Sequence, residues 1–373
     1  MMQRSSTSTS VQVVGSGRRR RSVTDLADAN AGKTDLQLSE LLAELTLDMC
    51  RKSFCLSCPE CVARQARVDR AAFESRRTLV SQLTGAIDAS VALGVPLDAA
   101  SLAVLLRLPS TIRAEVWLEL LGARNLRRKS PGVYERLLAF SSEQSQRIVR
   151  DVGRTFPAHP LFDDGAPGQV ALLNVLRAYS IFDSELGYCQ GMSFIVGMLL
   201  LLGMREEEAF WAFVALIKDR KLHGLFADQL PLLKTLLYQF DRLIELRMAK
   251  LFSHFKENNV TPLLYASEWF STVFCYGFAL PTSFRIWDMF LVHGTSFLLR
   301  TALAVLVLSQ EQLLKMGFDE LLVFFKRDAQ ALPPAELINA ALSITLDAAL
   351  LEQLAQEHDH PATQSYLGSM VWN

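Results

Sequence analysis

Apolar residues recur at three- and four-residue spacing along most of this chain, and that periodicity constrains its fold more than any other feature. Leu172, Leu173, Leu176, Tyr179 and Phe182 make one such face. Glu206, Glu207 and Glu208 precede Phe210, Trp211, Phe213, Val214, Leu216 and Ile217, so acidic side chains sit where a helix presents its positive end. Pro231 opens a run carrying Leu233, Leu236, Leu237, Phe240, Leu243 and Ile244 at the same period. Pro281 and Gly294 bracket a shorter helix with Trp287 and Phe290, and Pro333-Pro334 start another through Leu337, Ala341 and Leu342. No stretch alternates convincingly between apolar and polar residues, and Asp164-Gly165 falls between two helical patterns rather than between strands. The expected fold class is all-α, a single multi-helix domain following a disordered tail.

The chain has 373 residues, half of them apolar and 21% charged, which is enough to bury a sizeable core. Residues 1–38 are rich in Ser, Thr, Gly and Arg without hydrophobic periodicity and are expected to be disordered. Residues 39–94 read as a helical extension interrupted by cysteines, 95–350 as the main domain and 351–373 as a C-terminal tail. The longest apolar stretch, Met192 to Met204, is shorter than the roughly 20 residues a bilayer span needs, so it is expected to be a core helix. No apolar segment follows Met1 in the manner of a secretory signal. A cytoplasmic protein with its six cysteines as thiols is the expectation. A formal net charge of −1 gives no reason to expect a nucleic-acid partner.

Phosphate-loop, dinucleotide, zinc-protease and serine-hydrolase signatures are all absent from the sequence. The histidines are scattered, with His358 and His360 expected in a polar, frayed end. Cys50, Cys55, Cys58 and Cys61 are spaced closely enough to hold zinc or an iron–sulfur cluster. They lack the longer loop that normally separates two ligand pairs, so no metal is assigned. Arg18 to Arg21 could address the nucleus, meet an anionic membrane or mark a kinase site; solvated charge is the plainer reading.

Two segments carry the functional argument. Residues 147–157 read Arg-Ile-Val-Arg-Asp-Val-Gly-Arg-Thr-Phe-Pro, and residues 183–192 read Asp-Ser-Glu-Leu-Gly-Tyr-Cys-Gln-Gly-Met. Taken singly, Arg154 is a surface ion-pair residue, Gln190 a helix-end hydrogen-bonder, Cys189 a small buried hydrophobe, and Trp117 and Trp287 core. Together the segments resemble the TBC family of Rab GTPase-activating proteins. Ile148, Asp151 and Arg154 match its Ile-x-x-Asp-x-x-Arg motif, and Tyr188, Cys189 and Gln190 match its Tyr-Cys-Gln motif, in the family's order. Arg113 and Trp117 resemble its early Arg-x-x-x-Trp element, and Arg285-Ile286-Trp287-Asp288 its late Arg-Ile-Trp-Asp element. The likeness spans roughly residues 95 to 350. Arg107-Leu108-Pro109 stands where the family usually has Gly-Ile/Val-Pro.

The resemblance implies a helical fold and a Rab-type small GTPase, in its GTP form, as partner. It implies that Arg154 and Gln190 are an arginine finger and a glutamine finger supplied in trans. No cofactor is then needed, because GTP and Mg²⁺ arrive with the GTPase. The residue types suit that chemistry. A guanidinium stays protonated and its planar fork fits phosphate oxygens. An amide both donates and accepts, so it can orient a water. Asp151, one helical turn before Arg154, can fix the arginine by an i, i+3 pair. Gly191 lets the backbone beside Gln190 take a positive φ or approach a neighbour closely. Peripheral association with endomembranes also follows from the resemblance. A Rab-binding scaffold that has kept the fold without the catalysis is the alternative, and the presence of both fingers argues against it.

Overall fold

The computed structural model describes residues 59–360, and no strand occurs among them. Cys50, Cys55, Cys58 and the Arg18–Arg21 run lie outside the described residues, as does the tail assigned to 1–38. The chain divides into two compact units between Leu79 and Val80. What is described of the first is the opening of a long helix, α1 (Pro59–Leu93), where the Thr78 hydroxyl donates to the Glu74 carbonyl at 2.9 Å.

The second unit is a succession of helices. The first group is α2 (Ala99–Leu106), α3 (Ser110–Leu120), α4 (Ala123–Lys129), α5 (Val133–Leu138), α6 (Ser145–Val152), α7 (Pro167–Phe182), α8 (Met192–Leu201) and α9 (Glu206–Lys218). There follow α10 (Pro231–Arg247), α11 (Ala249–Glu257), α12 (Pro262–Tyr265), α13 (Ser267–Ser271) and α14 (Leu280–His293). The last are α15 (Thr295–Leu313), α16 (Phe318–Val323), α17 (Pro334–Ser343) and α18 (Ala348–Asp359).

The starts of these helices are written in the sequence. Proline occupies the first turn of α7, α10, α14 and α17, where its missing N–H has no intrahelical partner to lose. The Asp98 carboxylate caps α2 by accepting the Ser101 amide at 2.9 Å. Glu206, Glu207 and Glu208 fill the first turn of α9, and Glu208 accepts the Arg205 amide at 3.1 Å.

Helix α8 is the centre of the first half. Every residue from Met192 to Leu200 is buried, as expected of a core helix, and α8 packs against α7 and α9. In the second half α15 packs on α14 and α17, while α10 packs on α18. Among the described residues no single helix is long and apolar enough to cross a membrane.

Arg113, Trp117, Trp287 and Asp288 meet in one buried cluster that pins α3 to α14. Asp288 is fully buried, and both its oxygens accept the Arg113 Nε–H at 3.0 Å. Its Oδ1 also accepts the Trp117 indole N–H at 2.8 Å. Trp117 stacks on Trp287 with centroids 5.3 Å apart. The Trp287 indole N–H donates in turn to the Val273 carbonyl at 2.8 Å. Burial pushes the Asp288 carboxyl up to about 6, against the pull of Arg113 and Trp117.

One expectation needs correcting. His358 is buried, on a helix that runs through the boundary placed at residue 350. The Leu351 carbonyl of α18 accepts from Gln239 at 2.8 Å, and the His358 ring lies 5.5 Å from that of Tyr238. The apolar period of α18 is short, so the sequence signal faded before the helix did.

Two outcomes are expected in urea unfolding. Asp288→Asn leaves Arg113 buried without a counter-charge and should lose about 3–5 kcal/mol. His293 is held at about 4 by burial, helped by Arg300. Its folded pKa lies below the ordinary 6.5, so the neutral ring's contribution is complete above pH 6.5 and is lost as pH falls through 4. Between pH 7 and pH 4, His293→Gln should therefore lose less stability than the parent protein.

Candidate functional site

The site forms where the end of α6 meets the turn that leads into α8. Ile148 and Val152 bury the inner face of α6, which fixes the rotation of the helix and turns Asp151 inward with them. Gly153 keeps helical dihedrals (φ −62°, ψ −16°), and the Arg154 amide reaches the Asp151 carbonyl at 3.2 Å. The backbone therefore stays in a turn past the end of α6, until Phe156 with φ +47° redirects it. Arg154 leaves it with half its side chain, 51%, in solvent.

The second segment is a loop. Tyr188 is buried, Cys189 is half-buried and Gln190 is exposed. Cys189 is thus less enclosed than a small core residue would be, and burial raises its thiol pKa. Gly191 has φ +103°, and a Cβ there would stand 3.2 Å from the Ser271 carbonyl oxygen. Both reasons for a glycine therefore apply at once, positive φ and close approach.

A single carboxylate joins the two segments. Asp151 Oδ1 accepts from Arg154, with Nε and Nη2 each at 2.8 Å. Asp151 Oδ2 accepts the Tyr188 phenol at 2.7 Å. Burial and this bond to an acid together push the Tyr188 phenol well above its ordinary range, so it stays a donor. Arg154 and the residue two before Gln190 are thereby held on the two oxygens of one side chain.

Behind this joint lies a second one that the sequence reading did not include. The Thr155 hydroxyl donates to the Asp151 carbonyl at 2.7 Å and accepts from the Ser193 hydroxyl at 2.8 Å. Both residues are almost fully buried. A Cβ on Gly197 of α8 would meet the Phe156 ring at 3.0 Å, so the glycine relieves a tight approach of α8 to the loop after Arg154. Thr155 falls four residues after Asp151, a helical spacing that could have signalled the bond.

The Arg113, Trp117, Trp287 and Asp288 cluster is not part of this site. It reaches the site through the turn after α13. The Val273 carbonyl takes the Trp287 indole, and two residues earlier the Ser271 carbonyl abuts Gly191. Among the described residues, no group of three or more His, Cys, Asp or Glu side chains is placed to hold a metal ion.

A sequence model described as the Rab-GTPase-TBC domain matches residues 110–314, more than half of the chain. The chain belongs to this family. The Ecotropic viral integration site 5 protein homolog of Homo sapiens is 37% identical over 258 residues, covering 67% of this chain and 31% of the relative. The Rab GTPase-activating protein eat-17 of Caenorhabditis elegans is 35% identical over 229 residues, covering 61% of this chain and 26% of the relative. This chain thus spans about a third or less of the length of these relatives. Among solved structures, the TBC domain of a Chlamydomonas flagellar RabGAP superposes with a TM-score of 0.60 at 26% identity, covering 71% of this chain and 95% of that one. The Ypt/Rab-GAP domain of Gyp1p shares the fold at 16% identity, with a TM-score of 0.57 and coverage of 76% and 99%.

Gly191→Ala should lower stability by about 2 kcal/mol, because the new Cβ is strained by its φ and crowds Ser271. Gly85→Ala, on a helix with nothing within 4 Å of the new Cβ, should instead gain about 0.5–1 kcal/mol. Thermal unfolding of the two variants beside the parent tests the contrast.

Proposed function

We propose that this chain stimulates GTP hydrolysis by a Rab-type GTPase, supplying Arg154 as an arginine finger and Gln190 as a glutamine finger. The observation that carries the reading is the sharing of Asp151. One carboxylate orients the arginine directly and the glutamine's segment through Tyr188, while both side chains remain exposed. A constellation built only for stability would have no reason to leave both of these long polar side chains in solvent on segments joined by one carboxylate.

The chemistry divides between the partners. Hydrolysis develops negative charge on the γ-phosphoryl oxygens and the β–γ bridge. The Arg154 guanidinium offers donors to those oxygens, with Asp151 behind it limiting its rotamers. The Gln190 amide accepts from the attacking water and donates to the phosphoryl group, which places the nucleophile. Nucleotide, phosphate loop and Mg²⁺ come with the GTPase in its GTP form, so this chain needs no cofactor of its own. The reading places the protein in the cytoplasm, peripheral to the endomembranes that carry such GTPases. Family membership and the Rab GTPase-activating relative support it.

Single-turnover GTP hydrolysis by a panel of purified Rabs is the test. Wild type should accelerate one or a few of them. Arg154→Ala should lose about 10³-fold or more of that acceleration, the lower range for an arginine finger. Gln190→Ala should lose at least about tenfold, since water positioning goes but phosphate contacts stay. Full activity in either variant would sink the dual-finger mechanism. Binding of a GTP-loaded Rab without acceleration would favour a scaffold.

A further inference from the structure

Arg147 and Arg150 stand at i and i+3 on α6, Arg154 follows in the turn two residues after the helix ends, and all three are exposed. Arg154 has Asp151 as its partner, but Arg147 and Arg150 make no ion pair with any described residue. Arg147 donates only to the Gln144 side-chain oxygen, at 3.2 Å. Glu143, the exposed acid nearest in sequence, forms no ion pair with either arginine. The acid of α6 itself, Asp151, is buried, and its oxygens are taken by Arg154 and Tyr188. Val149, the residue before Arg150, is half in solvent. The whole chain has a net charge of −1, so this concentration of cations is local.

The strip also borders the second finger. The Arg147 charge is close enough to act on the Cys189 thiol, and the Gln144 side chain that Arg147 contacts lies near Gly187. At a rise of about 1.5 Å per residue, Arg147 and Arg150 stand roughly 4.5 Å apart along α6, and Arg150 is four residues before Arg154 in sequence. Whatever engages Arg154 therefore also comes close to these two side chains.

We propose that Arg147 and Arg150 form an electrostatic docking strip that captures acidic side chains bordering the nucleotide pocket of the partner GTPase. The proposal rests on the GTPase-activating reading above. Carboxylates are the chemistry that fits, because unpaired guanidinium groups beside an exposed valine offer bidentate bonds at a partly apolar surface. A lipid surface would also attract these cations. It cannot occupy the strip while Arg154, four residues after Arg150, points into a GTPase. Exposed charges of this kind speed encounter more than they deepen affinity, and their effect falls with salt.

The experiment measures single-turnover hydrolysis against activator concentration at 50 and 300 mM NaCl, using the GTPase that the wild type stimulates. Arg147→Gln/Arg150→Gln should raise the half-saturating concentration about tenfold at 50 mM NaCl and leave the maximal rate within about twofold. The wild type should weaken steeply between the two salt concentrations and the double variant only slightly. Arg150→Glu should be worse than either neutral change. Both side chains are exposed, so melting temperatures should match and folding cannot account for the difference. An unchanged salt dependence, or a fall in maximal rate at constant half-saturation, would overturn the proposal. So would binding of the wild type to anionic phosphatidylserine vesicles that is lost in the double variant while hydrolysis at both salts is unaffected. In the same series Arg154→Ala loses maximal rate, which separates the finger from the strip. If the wild type stimulates no GTPase of the panel, the underlying reading fails first and the strip falls with it.

Discussion

The arrangement of this site depends on the carboxylate of Asp151. It is buried because Ile148 and Val152 on the same helix face are buried, and a buried carboxylate requires partners for both oxygens. Arg154 satisfies one and Tyr188 the other. The need to satisfy one acid thus joins segments that are 37 residues apart in sequence. Thr155 and Ser193 repeat the connection one layer deeper, with hydroxyls instead of charge. The segments that carry Arg154 and Gln190 are consequently joined at two levels.

The glutamine side has a further support with a visible conformational cost. Val273 and Phe274 both take positive φ, 51° and 58°, in the fully buried turn after α13. A β-branched residue there is strained by about 1–3 kcal/mol, and such strain persists only where surrounding bonds over-determine it. The Trp287 indole on the Val273 carbonyl and the Ser283 hydroxyl on the Phe274 carbonyl do so. The same turn presents the Ser271 carbonyl to Gly191. The buried pin of Arg113, Trp117 and Asp288 therefore has a mechanical route to the backbone beside Gln190, through Trp287, although none of its members touches the site.

Much of this was legible in the sequence for physical reasons. Helix starts were readable because proline and acidic residues act locally, at the first turn, as in α9 and α10. The i, i+3 relation of Asp151 and Arg154 follows from helical spacing alone, and Gly191 announced a backbone that other residues resist. Motif resemblance supplied the pairing of the two segments, which local chemistry could not. What stayed hidden depends on long-range packing. The Thr155–Ser193 bond requires knowing which helix passes behind the loop, and the burial of His358 requires knowing that α18 lies on α10. Neither the strained turn at Val273 nor the close approach allowed by Gly197 has a signature in composition or period.

The Arg154–Asp151 pair poses a last question of magnitudes, since a tether that orients an arginine could also withhold it. Arg154 is 51% exposed, and a pair so open to water is worth about 0–1 kcal/mol once solvent screens it. An arginine finger contributes roughly 10³ to 10⁵ in rate, about 4 to 7 kcal/mol at 1.36 per decade. Under the proposed mechanism the engaged interaction outweighs the resting one several-fold. Had Arg154 been buried with Asp151, as Arg113 is with Asp288, separating the pair would cost several kcal/mol and consume most of that gain. The protein contains both kinds of arginine–aspartate pair, and their difference in exposure suits one to hold the fold and the other to reach outward.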